Sequence, residues 1–322
     1  MDVFVTGATG VIGTRALPLL IEAGHAVTAV TRSAVNRQLL ERLGAKPVEA
    51  SLFDVNSLRR VIEGHDAVIN LATHIPSSPT KMLMRWAWRT NDRIRRNGSA
   101  AVAAAAHASG VRRFIQESFA PMYSDHGPDW IDEEMPLAPT SYNQTVLDAE
   151  RSAKWYTDRG GVGIVLRFGA LYGPDALLAE MLKMIRKGWS PLPGDPRAYV
   201  SSLAQDDAAS AVVAALGVPA GIYNIVDNDP MPRGEWAATL ARAAGLPAPK
   251  PLPRWVVPIG GSTMRLIARS QRISNAKFRE AAKWAPAYPS ARDAWPAILA
   301  QVSSQTADRT TSTRPEPLRA RS

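Results

Sequence analysis

The chain contains no cysteine among its 322 residues. Disulfides, thiolate-held metals and a cysteine nucleophile are therefore excluded, and the absence suits a reducing compartment. Met1 to Thr6 carry neither a basic start nor an apolar run ahead of a cleavage site, so no secretory signal is expected. Apolar runs are strand-length or broken by charge, which predicts no membrane span and a cytoplasmic location. Acidic residues are in the minority, 29 against 38 Lys and Arg, for a net charge of +9. The arginines are scattered along predicted helices and the last segment, with no aromatic-interleaved basic motif. A basic surface is expected, with no nucleic-acid partner and no metal site.

What is present is a chain 46% hydrophobic and long enough for one large domain and a smaller one. The first half alternates β-rich and helix-period segments. Strands are predicted at Val3–Thr6, Ala26–Thr31, Lys46–Glu49, Ala67–Leu71, Arg113–Gln116 and Gly163–Arg167. Helical patterns lie between them at Val11–Ala23, Asn36–Leu43, Val55–Glu63, Lys81–Ala108 and Thr145–Asp158, and Gly24, Gly44, Gly64 and Gly110 punctuate their ends. Repeated β-loop-α units predict an α/β fold with a doubly wound parallel sheet of the Rossmann type. After Tyr172-Gly173-Pro174 the pattern turns to helices and proline-rich connections, with one clear strand at Gly221–Val226. The expected division is a nucleotide-binding domain over 1–174, a mostly helical substrate lobe over 175–302, and a disordered polar tail over 303–322. Most of the nine tryptophans are read as core.

The strongest chemical signal is TGATGVIG, which follows the first strand and opens a helix. Gly7 permits the tight turn, Gly10 lets a pyrophosphate approach the backbone, and Gly13 lets the helix pack close to the strand. The intervening Ala8, Thr9, Val11 and Ile12 complete a loop whose free N–H groups and helix dipole favour an anion. The second strand ends Val30-Thr31-Arg32-Ser33, without the Asp or Glu that holds an NAD ribose. Arg32 offers a planar fork for a 2′-phosphate, with Arg37 near enough in sequence to help. NADP, used as NADPH, is the expected cofactor.

These residues resemble the extended or atypical short-chain dehydrogenase/reductases, the NAD-dependent epimerase/dehydratase group, over about residues 1–300. TGATGVIG is similar to that family's TGATGFIG. The resemblance implies that Asp54 meets the adenine ring and that Asn70 and Leu71-Ala72-Thr73 pass the nicotinamide ribose. Leu166-Arg167-Phe168 through Tyr172-Gly173-Pro174 resembles LRPxxVYGP, with Phe168 for Pro. Gln205-Asp206-Asp207, Tyr223-Asn224 and the stretch from Ser274 to Pro289 follow in the family's order.

The family's catalytic set is a Ser or Thr, a Tyr, and a Lys four residues after the Tyr. The segment from Pro139 to Glu150 retains Tyr142 but carries Val146 in place of Lys. Counting back from Tyr123 puts Phe119 where the catalytic Ser stands, with Ser118 one position earlier. Tyr142, Ser118 and His74 are the candidate catalytic residues. His74 qualifies because it follows the fourth strand, at the ligand-binding edge of such sheets. Glu117, at the end of a buried strand, needs a partner or a proton. Asn91 resembles the family's helix Asn, and Arg272 stands where relatives hold substrate phosphate or else caps a helix. Three functions stay open: an NADPH-dependent reductase of a carbonyl or activated double bond in a small molecule, a nucleotide-sugar epimerase or dehydratase, and a non-catalytic NADP(H)-binding sensor. A monomer or homodimer is expected.

Overall fold

The computed structural model describes residues 1–76, 79–82, 84–141 and 143–312. Seven strands form one sheet: β1 (Asp2–Thr6), β2 (Ala26–Val30), β3 (Lys46–Val48), β4 (Ala67–Asn70), β5 (Arg113–Phe119), β6 (Val162–Phe168) and β7 (Gly221–Ile225). Their order is β3-β2-β1-β4-β5-β6-β7, and every pairing is parallel. The connecting helices are α1 (Gly13–Glu22), α2 (Ala34–Arg42), α3 (Val55–Ile62), α4 (Ser99–Ala108) and α5 (Val146–Thr157). Parallel strands are buried on both faces, which is why β1 reads as a continuous apolar run. Val3 and Val5 pack on the α1 side and Phe4 on the side of α3 and α4, as the two-residue strand period requires.

Strand ends agree with the sequence reading to within one residue except in β5, which runs on to Phe119 and so includes Glu117 and Ser118. Helix α1 begins at Gly13 and not at Val11, because Gly7 to Ile12 are spent on the turn. The stretch 81–108 is not one helix. It comprises Pro79–Met82, a 3₁₀ turn at Arg85–Trp88, an α turn at Arg89–Arg93, a π turn at Ile94–Gly98, and α4. The wider π turn keeps Asn91, Arg95 and Ser99, spaced four apart and all buried, on one face.

Three further helices, α6 (Ala176–Arg186), α8 (Arg233–Ala243) and α10 (Ala291–Ser312), build the capping lobe around Tyr172, Trp236 and Trp295. Two segments beyond residue 174 belong with the main sheet. Helix α7 (Gln205–Ala214) packs its Ala208, Ala211 and Val212 with Ala16 and Leu17 of α1, and β7 closes the main sheet. These segments read as lobe only because they follow it in sequence. The shorter helix Gly261–Ile267 follows in the lobe, whereas α9 (Ala276–Ala282) packs its Phe278 against Tyr223 of β7, in the core of the main sheet. Helix α10 continues to Ser312, ten residues into the expected tail. Ser303 Oγ donates to the Leu299 carbonyl at 3.0 Å, and extending a formed helix costs less than nucleating one. Residues 313–322 lie outside the described residues. Trp88, Trp236, Trp284 and Trp295 are buried, whereas Trp86, Trp130, Trp189 and Trp255 are exposed, so tryptophan is less a core residue here than composition suggests. Among the described residues no helix is long and apolar enough to cross a membrane.

The lobe core holds a buried carboxyl. Asp227 Oδ2 accepts from Ser202 Oγ at 3.0 Å, and Ser202 in turn accepts from the Trp236 indole at 3.1 Å. Asp227 Oδ1, Tyr172 OH and Trp295 Nε1 are buried without partners among the described residues. Burial pushes the Asp227 carboxyl well up, with the Ser202 hydrogen bond opposing and the Asp229 charge adding to the rise. A carboxyl raised on folding contributes stability that is present below the ordinary carboxylate range and lost as pH rises through its raised value. Asp227→Asn is therefore expected to raise the melting temperature at pH 8 and to leave it unchanged at pH 4. An equal gain at both pH values would show that ionisation is not the cause.

Candidate functional site

The glycine turn sits where β1 meets α1, at the carboxyl edge of the sheet. Gly7 has φ 69°, and a Cβ there would stand 2.4 Å from the Leu71 carbonyl carbon. A Cβ on Gly13 would stand 2.5 Å from the Gly7 oxygen. The turn is closed by Gly10 N donating to the Gly7 carbonyl at 3.0 Å. Ala8, Ile12 and Gly13 are buried and hold the turn, while Gly10 and Val11 are exposed and Thr9 is half-buried. Leu71 and Ala72 pass directly behind Gly7, with Thr73 half-buried beyond them. A turn that only glycine can fill, with an exposed backbone at a helix N-terminus, fits a dinucleotide pyrophosphate.

Arg32 leaves the end of β2 and lines a cavity of about 360 Å³ with Leu52, Phe53, Arg89 and Arg93. Among the described residues no carboxylate lines it. Thr31, at the position of an NAD-binding acid, is buried, and its Oγ1 accepts from Ser33 N at 3.2 Å. Asp54 has a structural part in this geometry. Its Oδ1 accepts from Asn56 N at 3.0 Å and Ser57 N at 3.2 Å, making it the N-cap of α3, while Leu52 and Phe53 face the cavity. Arg37 reaches back to the Pro47 carbonyl at 3.5 Å and does not line the cavity. Sequence reasoning missed Arg89 and Arg93. Their one signal is the four-residue spacing of two arginines within a stretch it took as a uniform helix.

The proton-transfer end is apolar where the family carries polar groups. Phe119 ends β5 half-buried, and Val146 opens α5 at 2% exposure. Tyr142 lies outside the described residues. Its neighbour Ser141 meets Ser262 of the capping lobe at 3.4 Å, and Asn143 Oδ1 accepts from Thr140 N at 2.8 Å. Ser118 does not present a free hydroxyl. It is 0% exposed and donates to Glu150 Oε1, because the strand alternation turns it toward α5. Glu150 is also held by Arg167, from Nε and Nη2 at 2.8 Å each, and Arg167 Nη1 donates to Tyr123 OH at 2.8 Å. Tyr123 OH donates to Asn224 Oδ1 at 2.8 Å. Burial raises the Tyr123 phenol, with Arg167 opposing.

Glu117 finds its partner in Arg95, whose Nη2 lies 2.9 and 3.1 Å from the two carboxylate oxygens. Burial raises the Glu117 carboxyl, Arg95 opposes the rise, and the nearby Glu150 charge adds to it. A second polar chain runs beneath β1 and β4: Thr6 Oγ1 donates to Asn70 Oδ1, and Asn70 Nδ2 donates to Gln116 Oε1 at 2.7 Å and Ser99 Oγ at 3.2 Å. His74 is exposed, with its backbone N donating to Asn91 Oδ1 at 2.9 Å, so Asn91 anchors the loop after β4. Arg272 is not a helix cap. Its guanidinium lies 4.2 Å from the Trp130 ring centre and 5.0 Å from that of Tyr199, a stack that positions one lobe strand.

A family model described as the NAD dependent epimerase/dehydratase family matches residues 3–225. The 3-diazoavenalumate denitrifying reductase of a Streptomyces species is 32% identical over 307 residues, covering 91% of this chain and 98% of that protein. Among solved structures, UDP-N-acetylglucosamine 4-epimerase from Bacillus cereus is 21% identical with a TM-score of 0.74, covering 94% of this chain and 99% of that one. Human epimerase family protein SDR39U1, solved with NADPH, is 23% identical with a TM-score of 0.75, covering 92% and 99%. With the glycine turn in place at the edge of a seven-stranded parallel sheet, the chain belongs to the NAD dependent epimerase/dehydratase family and is an NAD(P)-dependent enzyme of the short-chain dehydrogenase/reductase type.

Proposed function

We propose that this enzyme is an NADP(H)-dependent reductase of a small molecule, working in the reducing direction. The observation that carries the reading is the pairing of an intact nucleotide turn with Phe119 and Val146 at the proton-relay positions. NADPH, when bound, supplies the hydride. Oxidation of an alcohol, the opening step of epimerisation, needs a base, and a phenol with pKa of roughly 10 becomes one near neutrality only beside a cation. Buried Val146 supplies none. A neutral Tyr142 phenol still donates a proton to the alkoxide that a reduced carbonyl leaves. Arg32 and the absence of an acid at Thr31 support NADP over NAD.

The apolar relay positions favour a second reading of the acceptor. The relative's diazo substrate suggests an arenediazonium ion, whose terminal nitrogen takes the hydride and becomes a neutral aryldiazene. The C–N bond then breaks, dinitrogen leaves and the N–H hydrogen passes to the ring carbon. No oxyanion forms, so no donor is required.

The test compares wild type and Tyr142→Phe for enzyme-dependent NADPH oxidation on a carbonyl panel and on arenediazonium salts. Loss of carbonyl reduction by about 10²-fold or more assigns Tyr142 as donor. Unchanged diazonium turnover in the mutant supports the second reading. Efficient alcohol oxidation at pH 7, or tight NADPH binding with no turnover of either class, would overturn the proposal.

A further inference from the structure

We infer that Arg89 and Arg93 are specificity-determining residues for the cofactor, forming with Arg32 a three-guanidinium clamp for a ribose 2′-phosphate. This deepens the NADP(H) reading and rests on it. Three connections converge on the cavity: Arg32 from the end of β2, Leu52 and Phe53 from the loop after β3, and Arg89 and Arg93 from the segment after β4. Its volume of about 360 Å³ lies within the range of small-ligand pockets, at the small end.

The charges around it are unbalanced in a way that their neighbours are not. Within the same stretch Arg85 pairs with Asp92, Arg95 with Glu117 and Arg96 with Asp148. Arg89 and Arg93 pair with no acid among the described residues, nor does Arg32, and all three line the cavity. Arg89 and Arg93 are four apart on one helical turn, where like charges repel unless an anion lies between them. The Arg93 guanidinium lies 4.1 Å from the Phe53 ring centre, which holds its fork at the cavity wall before any ligand arrives. The glycine turn meets the pyrophosphate with backbone N–H groups, so these side chains are free for another anion. An aromatic wall with three unpaired forks suits a phosphomonoester on an adenosine, at the 2′ position within reach of Arg32.

Calorimetric titration of the full chain with 2′,5′-ADP, 3′,5′-ADP and 5′-ADP tests this without turnover. Wild type is expected to prefer 2′,5′-ADP over 5′-ADP by on the order of tenfold to a hundredfold. Arg89→Ala and Arg93→Ala are each expected to weaken 2′,5′-ADP about fivefold or more, leave 5′-ADP within about twofold, and keep the wild-type melting temperature. A preference that depends on Arg32 alone overturns the clamp and leaves the NADP(H) reading standing. Equal binding of 2′,5′-ADP and 5′-ADP by wild type overturns that reading as well. Equal loss of both ligands in Arg89→Ala and Arg93→Ala, or equal binding of the 2′ and 3′ phosphates, also overturns the clamp.

Discussion

Glu150→Ala is expected to lower the unfolding free energy by about 3–5 kcal/mol. Glu150 and Arg167 have side chains 9% and 3% exposed, and two hydrogen bonds of 2.8 Å join them. Burial works against the Arg167 charge, but hydrogen bonds from the guanidinium to Glu150 and the Glu150 charge outweigh it and raise the Arg167 pKa. Removing the carboxylate leaves a buried cation facing only the Tyr123 hydroxyl, and strips Ser118 of its acceptor. The cost comes from the uncompensated charge and not from the net worth of the pair. Ser118→Ala, which removes one neutral donor, should cost only about 1 kcal/mol. Replacing Glu150 and Arg167 together by Leu and Met should cost less than Glu150→Ala, since neither charge then remains. Urea unfolding of the four proteins gives the comparison. A double mutant destabilised as much as Glu150→Ala, or more, would refute the reasoning.

Gly7→Ala is expected to abolish cofactor binding, while Gly10→Ala should weaken it and spare the fold. At Gly7 the new Cβ meets backbone on β4's exit, with the Leu71 carbonyl carbon and oxygen both at 2.4 Å, and φ 69° is strained for any L side chain. Backbone cannot rotate aside as a side chain can, so the turn must open and β1 separate from the chain leaving β4. Both the melting temperature and NADPH affinity should fall. At Gly10 the nearest atom to the new Cβ is the Gly7 oxygen at 3.2 Å, and the position is exposed. The fold tolerates that methyl, but on the reading that the turn cradles a pyrophosphate it crowds the phosphate. An affinity loss of about tenfold or more with an unchanged melting temperature is expected, read by NADPH fluorescence and thermal unfolding. A stable Gly7→Ala that still binds NADPH would remove the turn from the cofactor site.

Local signals were legible wherever a residue's partners lie within a few positions of it. The strands of the main sheet, the helices between them and the turn from Gly7 to Gly13 follow from two-residue and 3.6-residue periods and from glycine placement, because those patterns are set by neighbouring backbone. The Asp54 cap was legible in the same way, since its acceptor work is done two and three residues ahead. The family resemblance adds the adenine as a further partner for the same residue. Substitutions at fixed motif positions, Phe119 and Val146, could also be read directly, and they carry the directional argument.

Pairings across long stretches of chain could not. Nothing near Glu117 announces Arg95, and nothing near Ser118 announces Glu150, yet those bonds decide that one acid is compensated and one hydroxyl is occupied. Arg32, Arg89 and Arg93 share a cavity only because the parallel sheet brings the segments leaving β2, β3 and β4 to the same edge, with β1 between β2 and β4. The return of β7 to the sheet, after a lobe has intervened, is likewise a matter of which surface remained unpaired. By itself the sequence determined the fold class, the nucleotide turn and the loss of the relay residues, since each is written in short-range pattern. Tertiary structure alone decided which charges meet and which stay free, because burial and pairing depend on distances in space that no local period encodes.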